Sequence, residues 1–184
     1  MKIEKIEVGP LSTNCYILTN KDKTIIIDPG DEFEVIKSKL KDKNVIGCLV
    51  THFHPDHIGA LEELLSTYDI EVNGDYTKEF EYEVIEFPGH TFDSRVFYFK
   101  KINTMFIGDF LFKDGLGRTD LGGSSKLMAK SLEELRTYPD DTILYPGHGE
   151  ETTLGAEKEH FDFYLMHLKW FIRKIFTLLL IICK

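Results

Sequence analysis

The chain has 184 residues, 42% of them hydrophobic, and a formal net charge of −9; that length suits one compact domain and that apolar share can supply a core. The acidic balance argues against a nucleic-acid-binding surface, which needs a basic face, and the only dense lysine run (Lys37, Lys39, Lys41, Lys43) reads as solvated surface. Three cysteines, Cys15, Cys48 and Cys183, make no disulfide framework, so a reducing, cytoplasmic setting is expected.

Met1–Glu7 alternates like a strand and lacks the apolar core of a signal peptide. Ile3–Val8, Cys15–Leu18 and Thr24–Ile27 read as three short strands, separated by Gly9-Pro10 and the turn Asn20–Lys23. Asp28-Pro29-Gly30 ends the third. Phe33–Leu40 has helical spacing, with Phe33, Ile36 and Leu40 on one side. Strand Val45–Val50 follows, then Thr51-His-Phe-His-Pro-Asp-His57, then a helix predicted over Ile58–Ser66. Glu71–Asn73 reads as a short strand closed by Gly74.

Strands resume with Glu83–Phe87, which runs into Pro88-Gly89-His90. Arg95–Lys100 and Thr104–Ile107 are expected to form a hairpin through Lys101–Asn103, and Gly108-Asp109 ends it. A glycine-rich loop leads to a helix over Leu127–Leu135, opened by Ser124 or Ser125. Thr142–Tyr145 is a strand ended by Pro146-Gly147-His148-Gly149. Adjacent short strands imply antiparallel hairpins. Two sheets face to face with helices outside would bury the apolar faces. Cys15 and Cys48 lie in apolar runs and read as core residues.

Phe161, Tyr164, Leu165, Leu168, Phe171, Ile172, Ile175 and Leu179 recur at helical spacing, and the chain is strongly apolar from Trp170 to Cys183. The uninterrupted part falls short of the roughly 20 residues a spanning helix needs. Residues 161–184 therefore read as an apolar C-terminal helix or tail, with no domain of its own. Docking on the body or contact with a second copy is expected, rather than membrane binding.

The chemistry is concentrated in four places. His52, His54, Asp56 and His57 lie within six residues at the end of a strand, a density that is hard to explain without a metal. His90 and His148 each follow Pro-Gly after an apolar strand, and Asp109 follows Gly108. Small residues before each ligand let the backbone turn sharply towards a shared centre. Five imidazoles and two carboxylates exceed what one zinc ion takes. Two divalent metals about 3.5–4 Å apart would use all seven. Asp109 is the better bridge, because Asp56 adjoins His57 and most simply serves one metal. The nitrogen-rich set suits zinc, or iron, and not magnesium or calcium; manganese is the further candidate. A water between two cations becomes hydroxide near neutral pH. It can attack a carbonyl carbon with no serine or cysteine nucleophile, and Asp56 would orient it.

These residues carry a resemblance. Thr51–His57, Pro88-Gly-His-Thr91, Gly108-Asp-Phe-Leu-Phe112 and Pro146-Gly-His-Gly149 resemble the metallo-β-lactamase superfamily. Gly117–Leu121, Pro146–Lys158, Pro10-Leu-Ser-Thr-Asn-Cys-Tyr16 and Ile27-Asp-Pro-Gly30 are similar to its glyoxalase II (hydroxyacylglutathione hydrolase) branch and single-domain relatives. The resemblance covers about residues 1–160. It implies an α/β fold, the four-layer αββα sandwich of two mixed β-sheets flanked by helices, with residues 1–160 as a hydrolase domain. It also implies one metal on His52, His54 and His90, another on Asp56, His57 and His148, and Asp109 bridging them. Asp28 resembles the family's strand-end aspartate, a hydrogen-bonding partner near the site, while Arg118 and Asp120 would fix a loop rather than ligate. The departures are local. Glutathione-specific members carry a C-terminal helical domain where this chain has a short apolar tail, His160-Phe161-Asp162 stands where Asn-Pro is usual, and Phe92-Asp93 stands where Pro-Gly is common. Metal binding and hydrolysis carry over; glutathione specificity does not.

The resulting expectation is a dinuclear metallohydrolase that cleaves a thioester or related small acyl compound, with no nucleic-acid partner. An alternative on the same scaffold is a mononuclear iron persulfide dioxygenase. Another is a non-catalytic metal-binding protein with the apolar tail as a contact surface. Flavodiiron chemistry is disfavoured, because that family puts a glutamate where His54 stands and needs a flavin domain.

Overall fold

The computed structural model describes residues 1–170. Strand β1 (Lys2–Val8) pairs antiparallel with β2 (Thr13–Asn20), and β2 with β3 (Lys23–Ile27). Helix α1 (Phe33–Leu40) carries the chain back, so β4 (Asn44–Leu49) joins β3 in parallel. This first sheet has the order β1-β2-β3-β4. Three short helices follow: α2 (Pro55–Ile58), α3 (Leu61–Thr67) and α4 (Thr77–Phe80).

The second half repeats the plan. Strands β5 (Glu83–Glu86), β6 (Arg95–Phe99) and β7 (Thr104–Gly108) form an antiparallel meander. A small hairpin follows, β8 (Leu111–Phe112) and β9 (Gly115–Leu116). Helix α5 (Ser125–Leu135) is capped by the Ser124 hydroxyl, which accepts from the amide of Leu127. It returns the chain so that β10 (Ile143–Pro146) pairs with β7 in parallel. Strand β11 (Thr152–Thr153) completes the order β11-β10-β7-β6-β5. Helix α6 (Leu154–Lys158) and a helix over residues 161–170, α7, close the described chain.

Alternation along each strand sorts the core into three interfaces. Cys15, Ile17, Ile26 and Cys48 face one way from the first sheet and pack on Phe33, Ile36 and Leu40 of α1 and Leu64 of α3. Their neighbours Tyr16, Leu18, Ile25, Ile27 and Leu49 face the other way and meet Phe97, Phe99 and Phe106 of the second sheet. On that sheet's far side Val96, Tyr98, Met105 and Ile107 pack on Met128, Leu132 and Leu135 of α5 and on Phe161, Leu165 and Leu168 of α7. The layers are therefore helix, sheet, sheet, helix, the expected sandwich.

Three local expectations are corrected. The helix read over Ile58–Ser66 is two helices, broken at Gly59-Ala60. Glu71–Asn73 is not a strand; only Val72 bridges, to Cys48. The glycine-rich loop after Asp109 contains the β8–β9 hairpin. Both sheets are mixed, as expected, because α1 and α5 each return the chain into a parallel pairing. Among the described residues no helix is long and apolar enough to cross a membrane. The apolar run from 171 to 184 lies outside the described residues.

Candidate metal centre

The four sequence clusters lie at four strand ends. His52, His54, Asp56 and His57 follow β4, His90 follows β5, Asp109 follows β7 and His148 follows β10. Two groups form: His52, His54 and His90, and Asp56, His57, Asp109 and His148. Within each, the ligand-type atoms lie within 4.8 Å of one another. Asp109 reaches towards both. Its Oδ1 is 3.1 Å from His57 Nε2, and its Oδ2 is 3.4 Å from His148 Nε2 and 3.7 Å from His90 Nε2. All seven residues singled out in the sequence thus come together.

The glycines before the ligands have concrete reasons. Gly108 has φ +54°, and a Cβ there would lie 2.4 Å from Thr51 Oγ1. A Cβ on Gly147 would lie 2.1 Å from Asp109 Oδ1. Pro55 opens α2 at its first turn, a position it suits, and places Asp56 and His57 in that turn.

Each imidazole has its outer nitrogen held by an acceptor. His57 Nδ1 contacts Asp28 Oδ2 (2.9 Å), His90 Nδ1 contacts Arg118 O (2.7 Å), His148 Nδ1 contacts Leu11 O (3.1 Å) and His54 Nε2 contacts Leu121 O (3.0 Å). The Thr51 hydroxyl donates to Asp28 Oδ2 (2.7 Å), so it accepts from His52 Nδ1 (3.1 Å). In a neutral ring this places the N–H on the outer side and the lone pair on the inner side, the tautomer that metal ligation requires.

The inner atoms then test the fit of a cation. His52 Nε2 is buried with no hydrogen-bond partner, an expensive state for a polar atom, and the buried His57 Nε2 and Asp109 Oδ1 face each other at 3.1 Å. His54 Nδ1 and His90 Nε2 face each other at 2.9 Å. With both outer N–H groups committed to carbonyls, only a proton or a metal cation satisfies that pair. The charge differs from ring to ring. Burial, helped by the charge of His57, lowers His52 to about 2. Burial also opposes charge on His57, but the carboxylates of Asp28 and Asp109 outweigh it and raise its pKa to about 10, so its inner nitrogen holds a proton towards Asp109 that a bound cation would displace. Burial raises Asp109, yet contacts with His148 and His57 hold its carboxyl well below the usual range. With that proton displaced, five nitrogens and two carboxylates fit a divalent cation such as zinc or iron.

The centre is open on one side. His52, His57 and His90 are buried, whereas His54, Asp56, Asp109 and His148 are half-buried. A cavity of ≈ 530 Å³ adjoins His148, lined by Phe112, Lys113, Gly149 and Glu150, within the range of small-molecule sites. Another, of ≈ 470 Å³ against α7, contains none of the seven residues.

Arg118 and Asp120 do not join the centre; they form an exposed two-bond pair, Nε to Oδ1 (2.7 Å) and Nη2 to Oδ2 (2.6 Å). Their loop contributes instead the carbonyls of Arg118 and Leu121. A further grouping of Asp114, Glu157 and His160 was not foreseen. There the buried Glu157 accepts from the Asp114 amide (3.0 Å) and the Thr152 hydroxyl (2.6 Å), so it ties α6 to the β8–β9 turn. The segment Leu11–Asn14 had no assigned task in the sequence. Thr13 donates to Asp56 Oδ2 (3.2 Å), and Leu11 O accepts from His148. The short polar run Ser12-Thr13-Asn14 opening a buried strand was the available signal.

The metallo-beta-lactamase superfamily profile fits residues 8–83 and 71–148. The probable metallo-hydrolase YqgX of Bacillus subtilis is 33% identical, across 89% of this chain and 97% of its own length. Hydroxyacylglutathione hydrolase GloC of Haemophilus influenzae is 30% identical, across 86% and 95%. Among solved structures, the BLEG-1 B3 metallo-beta-lactamase superposes with a TM-score of 0.79 at 31% identity, covering 89% of this chain and 99% of that one. TTHA1623 in a di-iron-bound form gives 0.77 at 29%, covering 84% and 96%. A profile match across most of the described residues, joined to near-full-length similarity at 33% identity, establishes that the chain belongs to the metallo-β-lactamase superfamily.

Proposed function

We propose that the chain is a dinuclear metallohydrolase that cleaves a thioester or related small acyl substrate. One observation carries this reading: seven ligand-type side chains converge in two adjoining clusters, with His52 Nε2 buried without a protein partner and Asp109 directed at both. His52, His54 and His90 would hold one cation, Asp56, His57 and His148 the other, and Asp109 would bridge them. Two divalent ions there, most simply zinc, would supply Lewis acidity and a solvent molecule ionised near neutral pH.

The protein's own residues do the rest. Asp56, held by Thr13, would orient the attacking oxygen. The outer acceptors Asp28, Thr51, Leu11, Arg118 and Leu121 keep each ring in its ligating tautomer. The open side admits the acyl group, with the apolar ring of Phe112 as one wall of the adjoining cavity. Oxygen adds to the acyl carbon, the C–S bond breaks, and carboxylic acid and thiol leave. Similarity to a hydroxyacylglutathione hydrolase supports the thioester. A second cluster complete with Asp56 and His148 favours two cations over the single iron of a persulfide dioxygenase.

The test is metal content per chain measured beside turnover on thioesters, lactones and persulfides. Zinc with thiol release supports the reading. One iron with oxygen uptake, or metal without turnover, sinks it. Asp109→Ala is expected to lower kcat/KM by more than about 100-fold, beyond the usual cost of losing an outer partner; full activity in that variant would remove the bridging role.

A further inference from the structure

Asp56 and His148 are the most exposed side chains of their group, at 24% and 27%, against 0% for His57 and 12% for Asp109. Both are held by the opening of β2. Leu11 O accepts from the His148 ring, Thr13 forms a main-chain bridge to His148, and its hydroxyl donates to Asp56. Asn14 completes the contact. Its amide N–H donates to Gly147 O (2.7 Å), and its Nδ2 donates to both Pro146 O (3.0 Å) and Gly149 O (2.9 Å). These carbonyls flank His148 on either side.

Asn14 is fully buried, and its Oδ1 has no partner. That orientation leaves a buried acceptor unpaired, which is destabilising. Nor does either flanking carbonyl need the Asn14 amide for satisfaction. Pro146 O also accepts from the Tyr16 hydroxyl, and Gly149 O from Lys5 Nζ. What Asn14 adds is a single point on the first sheet that fastens both ends of the His148 turn on the second. The rings of His52, His54 and His90 are anchored elsewhere, by Thr51, Leu121 and Arg118.

We infer that Asn14 is a positioning residue for one half of the centre: it fixes the His148 turn so that Asp56, His57, Asp109 and His148 bind a cation tightly, while the His52, His54 and His90 group does not depend on it. The inference rests on the two-cation reading above. The test titrates zinc into the metal-free chain by calorimetry, for wild type, Asn14→Ala and the milder Asn14→Ser, with Ile26→Val as a core control. Wild type is expected to take two zinc ions. Asn14→Ala should weaken one binding step by about 10- to 100-fold, the usual effect of losing an outer partner, and leave the other unchanged. Ring resonances of His148 should then respond only at the higher zinc concentration, while those of His52 and His90 respond as in wild type. Asn14→Ser, a side chain too short to reach both carbonyls, should repeat this pattern if Asn14→Ala folds poorly. Parallel weakening of both steps that follows Tm, as a purely structural role would give, overturns the inference. So do unchanged affinities in the variants. A wild-type chain that takes up fewer than two zinc ions overturns the two-cation reading together with it.

Discussion

Asp28 shows how little the polypeptide leaves free around the centre. It sits at φ +52°, a left-handed conformation that aspartate and asparagine tolerate better than most residues. Its carboxylate accepts three bonds, from the Thr51 amide (2.7 Å), the Thr51 hydroxyl (2.7 Å) and His57 Nδ1 (2.9 Å). Asp28→Asn keeps the backbone but turns one acceptor into a donor. An amide facing His57 would push its proton to the inner nitrogen, where the cation should bind. A loss of about 10- to 100-fold in zinc affinity is expected, by competition with a chromophoric chelator; wild-type affinity would show that Asp28 does not set the tautomer. The same carboxylate bears on the cysteines. Burial first, then the charge of Asp28, raises the Cys15 thiol well above its ordinary range, and burial does the same for Cys48. Both stay neutral, hence unreactive, at pH 8. Peptide mapping after iodoacetamide should find neither labelled in the native protein and both labelled in urea. Native labelling of either would contradict the buried placement. The seven ligand-type residues were legible in the sequence because four crowd one heptapeptide and three follow glycine at strand ends. Their outer partners were less so. Leu11, Arg118 and Leu121 act through main-chain carbonyls, and a carbonyl has no side-chain signature.

At the level of elements, the break between α2 and α3 is the informative departure from the sequence pattern. Ile58, Leu61, Leu64 and Leu65 keep helical spacing, so periodicity alone cannot see the break. The cause is long-range. Ala60 N–H donates to Pro29 O (3.0 Å), and a Cβ on Gly59 would lie 2.2 Å from Gly30 O. Gly30 is equally crowded, its added Cβ falling 2.1 Å from Asp56 O. The chain after β3 and the turn that carries Asp56 and His57 therefore meet backbone to backbone. Gly59 has φ −57°, which alanine tolerates, so alanine would gain about 0.4–1 kcal/mol by restricting the unfolded chain. The overlap is with main chain, which cannot rotate away, and overpacking of this kind costs about 1–3 kcal/mol. Overpacking should win. Gly59→Ala is expected to lower Tm by a few degrees and to weaken zinc binding, because Asp56 and His57 move with the turn. A raised Tm would mean that the loop gives way and that the entropy gain decides. Similar long-range causes hid other elements. Strand β8 and strand β9 are two residues each, too short for any alternation, and Val72 pairs only because Cys48 presents its edge.

Across the whole molecule, the two halves build the same unit: three antiparallel strands, then a helix that returns a fourth strand in parallel. Fold class was legible because alternation is strong in the central strands; Tyr16/Ile17 and Phe97/Tyr98 send neighbouring side chains to different interfaces. The pairing of the two sheets was not readable from either half alone. It depends on an aromatic layer in which Phe106 meets Tyr16 edge-on at 5.0 Å and stacks on Tyr145 at 5.2 Å. The candidate centre lies across the same division. His52, His54, Asp56 and His57 come from the first sheet's end, whereas His90, Asp109 and His148 come from the second's. Cations bound there would join the sheets, and such binding acts only on the folded state. Zinc held at about 100 times its Kd would add about 2.7 kcal/mol. At about 2–4 °C per kcal/mol for a chain of this size, that is roughly 5–11 °C. Calorimetric Tm should therefore fall by this order when a strong chelator strips the protein and recover on adding zinc. In Asp109→Ala, whose centre lacks the residue that faces both clusters, the difference should shrink well below the wild-type value. Equal Tm values for stripped and zinc-loaded wild type would mean that the centre contributes nothing to holding the sheets together.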